Sequence, residues 1–475
     1  MARDLARQLQ WDELYNSVNE CLTLRHRLRP PVRCAGPVGG PALNPFNTTM
    51  IAVALVPIAQ ATGVSASLAI WLVAGLYIVS AVAQPAMGRI ADIFGPKKVY
   101  VTGLLLVMVG GLVPAVWASF PGALLSRIII GLGTSAAYPS AMTLISDQAR
   151  RLGRPTPRPL LTGLSVSSLV TTAVGPVIGG LLVHQLGWQW IFIVNTPVAA
   201  VILLFVPVWL PADNTRESAA GDSGLDIPGM AVFTVMLVSA LLFFLDLDAG
   251  LNWLIPVAVV ALGVLVWWGL RVDSPFIDLR MLVGNGALTR TYLRMIITYT
   301  GMYLMVYGFT QWLQDAAGYS ADHAGLIQLS TTAFALVCSW IVARSTSVRG
   351  PLTAAAIALI PGALLMAFVD AGSTLIYLLL LVGVFGITQG FGSVCNQEVV
   401  YRSAPKEQMG SASGLSRTAI QIGAIVASSI IGPVFGEPAT DADVHTLAWI
   451  VLALGLAGTL LTVTDKALKA TGTDD

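Results

Sequence analysis

The chain has 475 residues, of which 55% are hydrophobic and 11% charged, and its formal net charge is +1 at pH 7. A soluble domain carries about a quarter charged residues, so this composition excludes an ordinary soluble globular protein, and no nucleic-acid partner is expected. Cys21, Cys34, Cys338 and Cys395, together with only four His, show no metal-ligand spacing, so neither a metal nor a cofactor is expected.

In chain order, residues 1–40 read as a polar leader with Arg25, Arg27, Arg29 and Arg33 around a Pro-Pro pair. It lacks the apolar core and small-residue cleavage site of a signal peptide. It is expected to be disordered, with Trp11–Leu24 a candidate surface helix. Beyond it, apolar blocks of roughly 20 residues alternate with short polar hinges, the length that a bilayer crossing requires. Counting blocks predicts fourteen spans, at approximately residues 42–61, 68–88, 98–117, 121–145, 162–183, 188–210, 227–247, 251–270, 291–313, 323–343, 351–369, 374–396, 411–433 and 446–465. The fold class is therefore an all-α integral membrane protein with 14 transmembrane helices. Trp188 and Trp190 suit an anchor at the outer interface.

An even count puts both termini on one side. All of the 26 Lys and Arg except Arg127 and Arg417 then fall before span one, in alternate hinges, or after span fourteen. Arg290 and Arg294 belong, on this reading, to the link into span nine. The positive-inside rule places both termini in the cytoplasm of a cell (plasma or inner) membrane protein. The longest polar hinge, 211–226, separates a first six-helix half (41–210) from the rest. An inserted pair of helices (227–270), a cytoplasmic connector (271–290), a second six-helix half (291–466) and a tail (467–475) follow.

Several stretches carry mechanism. Gly88-Arg89-Ile90-Ala91-Asp92-Ile93-Phe94-Gly95-Pro96-Lys97-Lys98 joins spans two and three, with glycines that permit a tight reversal and lysines, Lys97 and Lys98, that hold the basic face. In span five, Gly175-Pro176-Val177-Ile178-Gly179-Gly180 continues a stripe of small residues (Ser165, Ser168, Thr172, Gly175, Gly179) on one helix face, where a neighbour can approach closely. Pro176 removes a backbone donor there. Arg127 lies inside span four, where a cation costs about 2.5–3.5 kcal/mol on insertion scales unless it faces a partner or cavity; snorkelling to the outer interface is the other reading.

Together these stretches resemble the major facilitator superfamily. Gly88–Lys98 is similar to that family's GxLaDrxGrk loop, with Ile93 and Pro96 in place of two arginines. Gly175–Gly180 is similar to its antiporter signature GP-x-x-GG, with Thr162 and Thr171 where two earlier glycines stand. The layout resembles the 14-helix drug/proton antiporter branch (6+2+6), in which two helices sit between pseudo-symmetric six-helix halves that rock about a midplane cavity. The resemblance implies that Asp92, with Gly88, Gly95, Lys97, Lys98, Gly175, Pro176, Gly179 and Gly180, serves gating, Asp92 facing the start of the helix near Gly410. It implies proton coupling for Arg127; the peripheral acids are the other candidates, namely Asp147 at the cytoplasmic end of span four (paired with Arg89 or Lys97, or solvated), Asp246 and Asp248 at the outer end of span seven, and Glu398 at the inner end of span twelve. The family's first-helix aspartate falls on Asn47, an amide that cannot carry a proton. Asn44 and Asn47 read either as cavity residues or as packing amides. Tyr299, Tyr303 and Tyr307, with Gln311, Gln328, Gln389 and Asn396, are candidates to line a cavity for a bulky apolar substrate, or to pack.

The function so implied is secondary export of hydrophobic or amphipathic, drug-like small molecules by proton antiport, by a chain acting as a monomer in the lipid bilayer. The alternatives are an uncoupled or lipid-type carrier and, less favoured, a non-transporting sensor or scaffold. No nucleotide loop or nucleophile constellation supports an enzyme.

Overall fold

The computed structural model describes residues 36–69, 71–152, 158–210, 225–245, 250–273, 275–345, 347–435, 438–465 and 468. The leader to residue 35, linker residues 211–224, the acids Asp246 and Asp248, and most of the tail lie outside the described residues. Every regular element among the described residues is helical: α1 (Gly36–Met50), α2 (Leu55–Thr62), α3 (Trp71–Phe94), α4 (Pro96–Val116), α5 (Phe120–Leu152), α6 (Arg158–Leu186), α7 (Asn195–Trp209), α8 (Ile227–Leu245), α9 (Leu254–Gly269), α10 (Gly286–Tyr303), α11 (Thr310–Asp315), α12 (Ala321–Arg344), α13 (Arg349–Ala367), α14 (Leu375–Ser403), α15 (Met409–Val434) and α16 (Asp441–Thr464), besides a few short turns. Helices are what a lipid solvent demands, since each backbone N–H and C=O must find its partner within the chain.

Eleven helices among the described residues are long and apolar enough to cross a membrane. The other three expected spans are short or interrupted. The first starts at Gly36, inside the expected leader, and passes through a 3₁₀ turn at Ile51–Ala54 before α2. Pro57 follows that turn; it has no N–H to offer the carbonyl four residues back, and its ring crowds it. The ninth is broken between α10 and α11 by a π-helical turn at Leu304–Phe309, a form that occurs mostly as single turns within α-helices. The apolar part of α8, Ile227–Phe243, is a shorter helix.

The chain divides into two compact units, Met1–Asp226 with Ala404–Leu415, and Ile227–Ser403 with Ser416–Asp475. The first turns of α15 thus belong to the first unit, whereas the sequence groups the whole of that span with the second half. In the first unit α4 and α5 meet through glycine: a Cβ on Gly103 would lie 2.6 Å from the Gly133 carbonyl oxygen, and Ser126 Oγ donates to the Gly110 carbonyl at 2.6 Å. In the second unit α12 packs on α14 in the same manner, with Thr331 Oγ1 donating to the Val382 carbonyl and Ser339 Oγ to the Gly390 carbonyl, both at 3.3 Å. Small residues let helix backbones approach where no hydrophobic effect separates helix from lipid. Trp188 is a correction at this level. It is only 7% exposed and packs in the first unit's core, edge-on to Phe192, so only Trp190 is placed as an interfacial anchor would be.

Candidate functional site

The hinge between α3 and α4 builds a buried polar site of the first unit around Asp92. Gly95 has φ 103°, a conformation that favours glycine, and Pro96 opens α4, where its missing N–H is no loss. That reversal leaves Asp92 in the last turn of α3, 5% exposed. Its Oδ1 accepts from the Gly410 N–H at 2.8 Å, and its Oδ2 from the Ser411 N–H at 2.8 Å and the Ser411 hydroxyl at 2.9 Å. Thr143 Oγ1 adds a longer contact at 3.4 Å. A carboxylate on the unpaired N–H groups that open α15 answers both the orphan donors and the helix dipole. Close approach makes this possible. A Cβ on Gly88 would collide with the Gly410 carbonyl, and one on Gly414 would lie 2.5 Å from the Gln84 carbonyl oxygen. Lys97 Nζ donates to the Leu210 carbonyl at 2.9 Å, at the end of α7, while Lys98 is exposed.

The small-residue stripe of α6 faces α1. A Cβ on Gly175 would meet Thr49 and the Phe46 carbonyl, and one on Gly179 would lie 2.7 Å from Met50 Cγ. Gly180 faces open space, and Pro176 is half-buried. The six residues of the motif therefore divide between packing and free surface.

A second polar group joins α1, α5 and α7. Arg127 does not snorkel; it is fully buried, its Nε donating to the Leu72 carbonyl at 2.8 Å and its Nη1 to the Asn47 carbonyl at 3.1 Å. Asn47 and Asn195 exchange amide hydrogen bonds at 2.6 and 2.9 Å, and Asn47 Nδ2 also reaches the Leu43 carbonyl. Asn44 donates to Ser80 Oγ at 3.2 Å and Thr134 Oγ1 at 3.0 Å. Both amides are thus engaged with neighbouring helices. Asp147 is half-buried on α5.

In the second unit Tyr303 and Tyr307 stack with ring centroids 5.3 Å apart, and Tyr299 lies 6.3 Å from Tyr303. All three are half-buried, as are Gln311 and Gln389. Gln328 donates to Thr310 Oγ1 at 2.9 Å, beside the π turn. Glu398 pairs with Arg402 one helical turn on, at 2.5 Å. Asn396 is held by Arg294, whose Nε donates to its Oδ1 at 3.2 Å.

Sequence reasoning missed that last arginine and its partner. Arg294 was read as part of a hinge, but it lies within α10 and is 1% exposed, facing Asp465 at 3.6 Å. The available signal was a cation inside an apolar block, which calls for an acid at the same depth. Ser411 and Thr143 were missed as well, since neither hydroxyl carries a mark of its own in the sequence.

The fold and these buried polar sites define a multi-pass helical membrane protein of the transporter class. The Major Facilitator Superfamily pattern matches residues 39–428, and the chain belongs to that superfamily. It is a membrane transporter, not an enzyme. It is 30% identical to the uncharacterized MFS-type transporter YwoD of Bacillus subtilis, over 91% of this chain and 96% of that protein. It is 27% identical to the multidrug resistance protein Stp of Mycobacterium tuberculosis, over 77% of this chain and 68% of that one. Among solved structures, the human organic anion transporter MFSD10 shares the fold with a TM-score of 0.65 and 19% identity, over 91% of this chain and all of that one.

Proposed function

We propose that this chain is a secondary exporter of hydrophobic or amphipathic small molecules, driven by proton antiport through alternating access. The observation that carries it is the Asp92 clamp on Gly410 and Ser411. It caps the first turns of α15 from the last turn of α3, a charge-assisted contact of the kind that a gate between alternating states makes and breaks. Fourteen spans in a 6+2+6 arrangement, a cell membrane location, cytoplasmic termini and a monomeric carrier complete the proposal. The basic hinges support the orientation. The stacked tyrosines of α10 and its π turn offer flat apolar faces with hydroxyl handles, suited to a drug-like ligand, and the likeness to Stp, by its name a multidrug resistance protein, agrees with that class. A membrane potential of 100 mV supplies about 2.3 kcal/mol per charge, roughly 50-fold accumulation for one proton per cycle.

A second reading, uncoupled carriage, draws on the reciprocal Asn47–Asn195 amide pair, which holds no titratable group where the resembled pattern has an acid. Purified protein in liposomes with a trapped pH reporter separates the two. Ethidium flux accompanied by counter-movement of protons supports antiport, ethidium flux at constant internal pH supports the uncoupled carrier, and no flux would overturn both for this substrate class.

A further inference from the structure

Among the described residues, the charges around Arg294 form a buried cluster in the second unit. Asp465 directly follows α16 and is 1% exposed, as is Arg294. Arg290 Nε donates to Asp465 Oδ1 at 2.8 Å from a side chain that is 39% exposed. Arg294 Nη1 lies 3.6 Å from Oδ2, too far for a good hydrogen bond, while its Nε holds Asn396 and its Nη2 donates to Thr291 Oγ1 at 3.0 Å. The Glu398–Arg402 pair lies on the same helix as Asn396. Three residues beyond Asp465, Leu468 is 2% exposed among Val342, Val348, Leu352, Val394, Cys395 and Val399. Asp465 is therefore held by charge against α10, and Leu468 by apolar contact in the cluster that α12, α13 and α14 supply.

We propose that Arg294 and Asp465 form a latch that fastens the end of α16 and Leu468 over the basic face of the second unit, and that opening this latch is a step of transport. A buried ion pair is a poor device for stability alone, because desolvation offsets most of its attraction, and apolar residues of like volume serve as well. Its use lies in having two discrete arrangements, one closed and one solvated. The first unit ties the equivalent helices, α1, α5 and α7, through Arg127 and the neutral Asn47–Asn195 amides instead. Arg294 and Asp465 are positioning residues, acting on transport through the end of α16 and Leu468.

The test uses the full chain in liposomes, with its four cysteines replaced by alanine and Leu468→Cys introduced, a soluble maleimide as label and ethidium as transported probe. Asp465→Asn should speed labelling about tenfold and lower the turnover number of folded protein with KM little changed. Where Asp465→Asn accumulates no folded protein, Arg294→Lys, which keeps the charge but cannot hold Asn396 and Asp465 together, should give the same two changes more weakly. Unchanged labelling, or faster labelling with unchanged turnover per folded molecule, would overturn the latch. If the parent protein carries no ethidium, the drug-export reading falls, and unchanged labelling in Asp465→Asn still overturns the latch.

Discussion

Asp92 places two carboxylate oxygens against three close donors, the N–H groups of Gly410 and Ser411 and the Ser411 hydroxyl, with the Thr143 hydroxyl farther off. Replacing it with Asn turns one oxygen into an NH₂ that faces donors, so at least one hydrogen bond to a charge is lost and a repulsion gained. Such bonds contribute about 1.5–3 kcal/mol each. Asp92→Asn should therefore cut ethidium export about tenfold or more while leaving the amount of folded protein in the membrane near normal; a normal export rate would remove Asp92 from the gate. Arg127 gives a different test, because its described partners are the carbonyls of Leu72 and Asn47 rather than a carboxylate. If it takes part in coupling, Arg127→Ala should flatten the pH profile of export, measured as rate against pH in proteoliposomes, and a profile that keeps its shape assigns Arg127 to packing. Asp92 was legible through the resemblance of Gly88–Lys98 to the superfamily's hinge, which implies an acid facing the start of the helix near Gly410. The Asn47–Asn195 pair was not, since two amides 148 positions apart in the chain meet only through the packing of α1 on α7.

At the scale of the element, α6 shows how one motif divides its residues. Gly179 packs against Met50 and Val53 of the α1–α2 segment, whereas nothing lies within 4 Å of a Cβ added at Gly180. Gly179→Val should push α6 off α1 and destabilise the fold by about 1–3 kcal/mol, as overpacking does. Gly180→Ala should be neutral or slightly stabilising, because alanine loses less backbone entropy in a helix. Thermal unfolding of the detergent-solubilised protein checks the pair, and equal effects would deny the division. The helices themselves were legible because a bilayer demands long apolar runs, and α4, α12 and α13 stand close to where those runs put them, whereas α3 runs on to Phe94, past its expected end at 88. The π turn at Leu304–Phe309 was not, since Leu-Met-Val-Tyr-Gly-Phe fits an ordinary α-helix equally well. Arg294 falls within the expected span 291–313, yet the segregation of basic residues assigns it to the hinge; α10 begins at Gly286, eight residues earlier, and burial makes the arginine part of the helix.

At the scale of the molecule, everything proposed rests on which hinges share a side. The segregation of Lys and Arg makes a sharp forecast, because an error of one span would flip every later hinge. Four positions sample it in a background with the native cysteines replaced. Ala118, between α4 and α5, and Gly372, between α13 and α14, are exposed and lie in hinges with no basic residue. Phe94, at the end of α3, and Ser347, between α12 and α13, are exposed beside basic ones. With cysteine at each position in turn, a membrane-impermeant maleimide added to intact cells should label Ala118→Cys and Gly372→Cys, and should reach Phe94→Cys and Ser347→Cys only after the membrane is opened. The order matters because the two units are sampled separately. If the pair in the first unit behaves as expected and the pair in the second is reversed, an odd number of crossings separates the units, and the 6+2+6 arrangement fails while the Asp92 clamp survives. If all four react alike, the helices do not span as the basic hinges require, and alternating access between two sides loses its geometry.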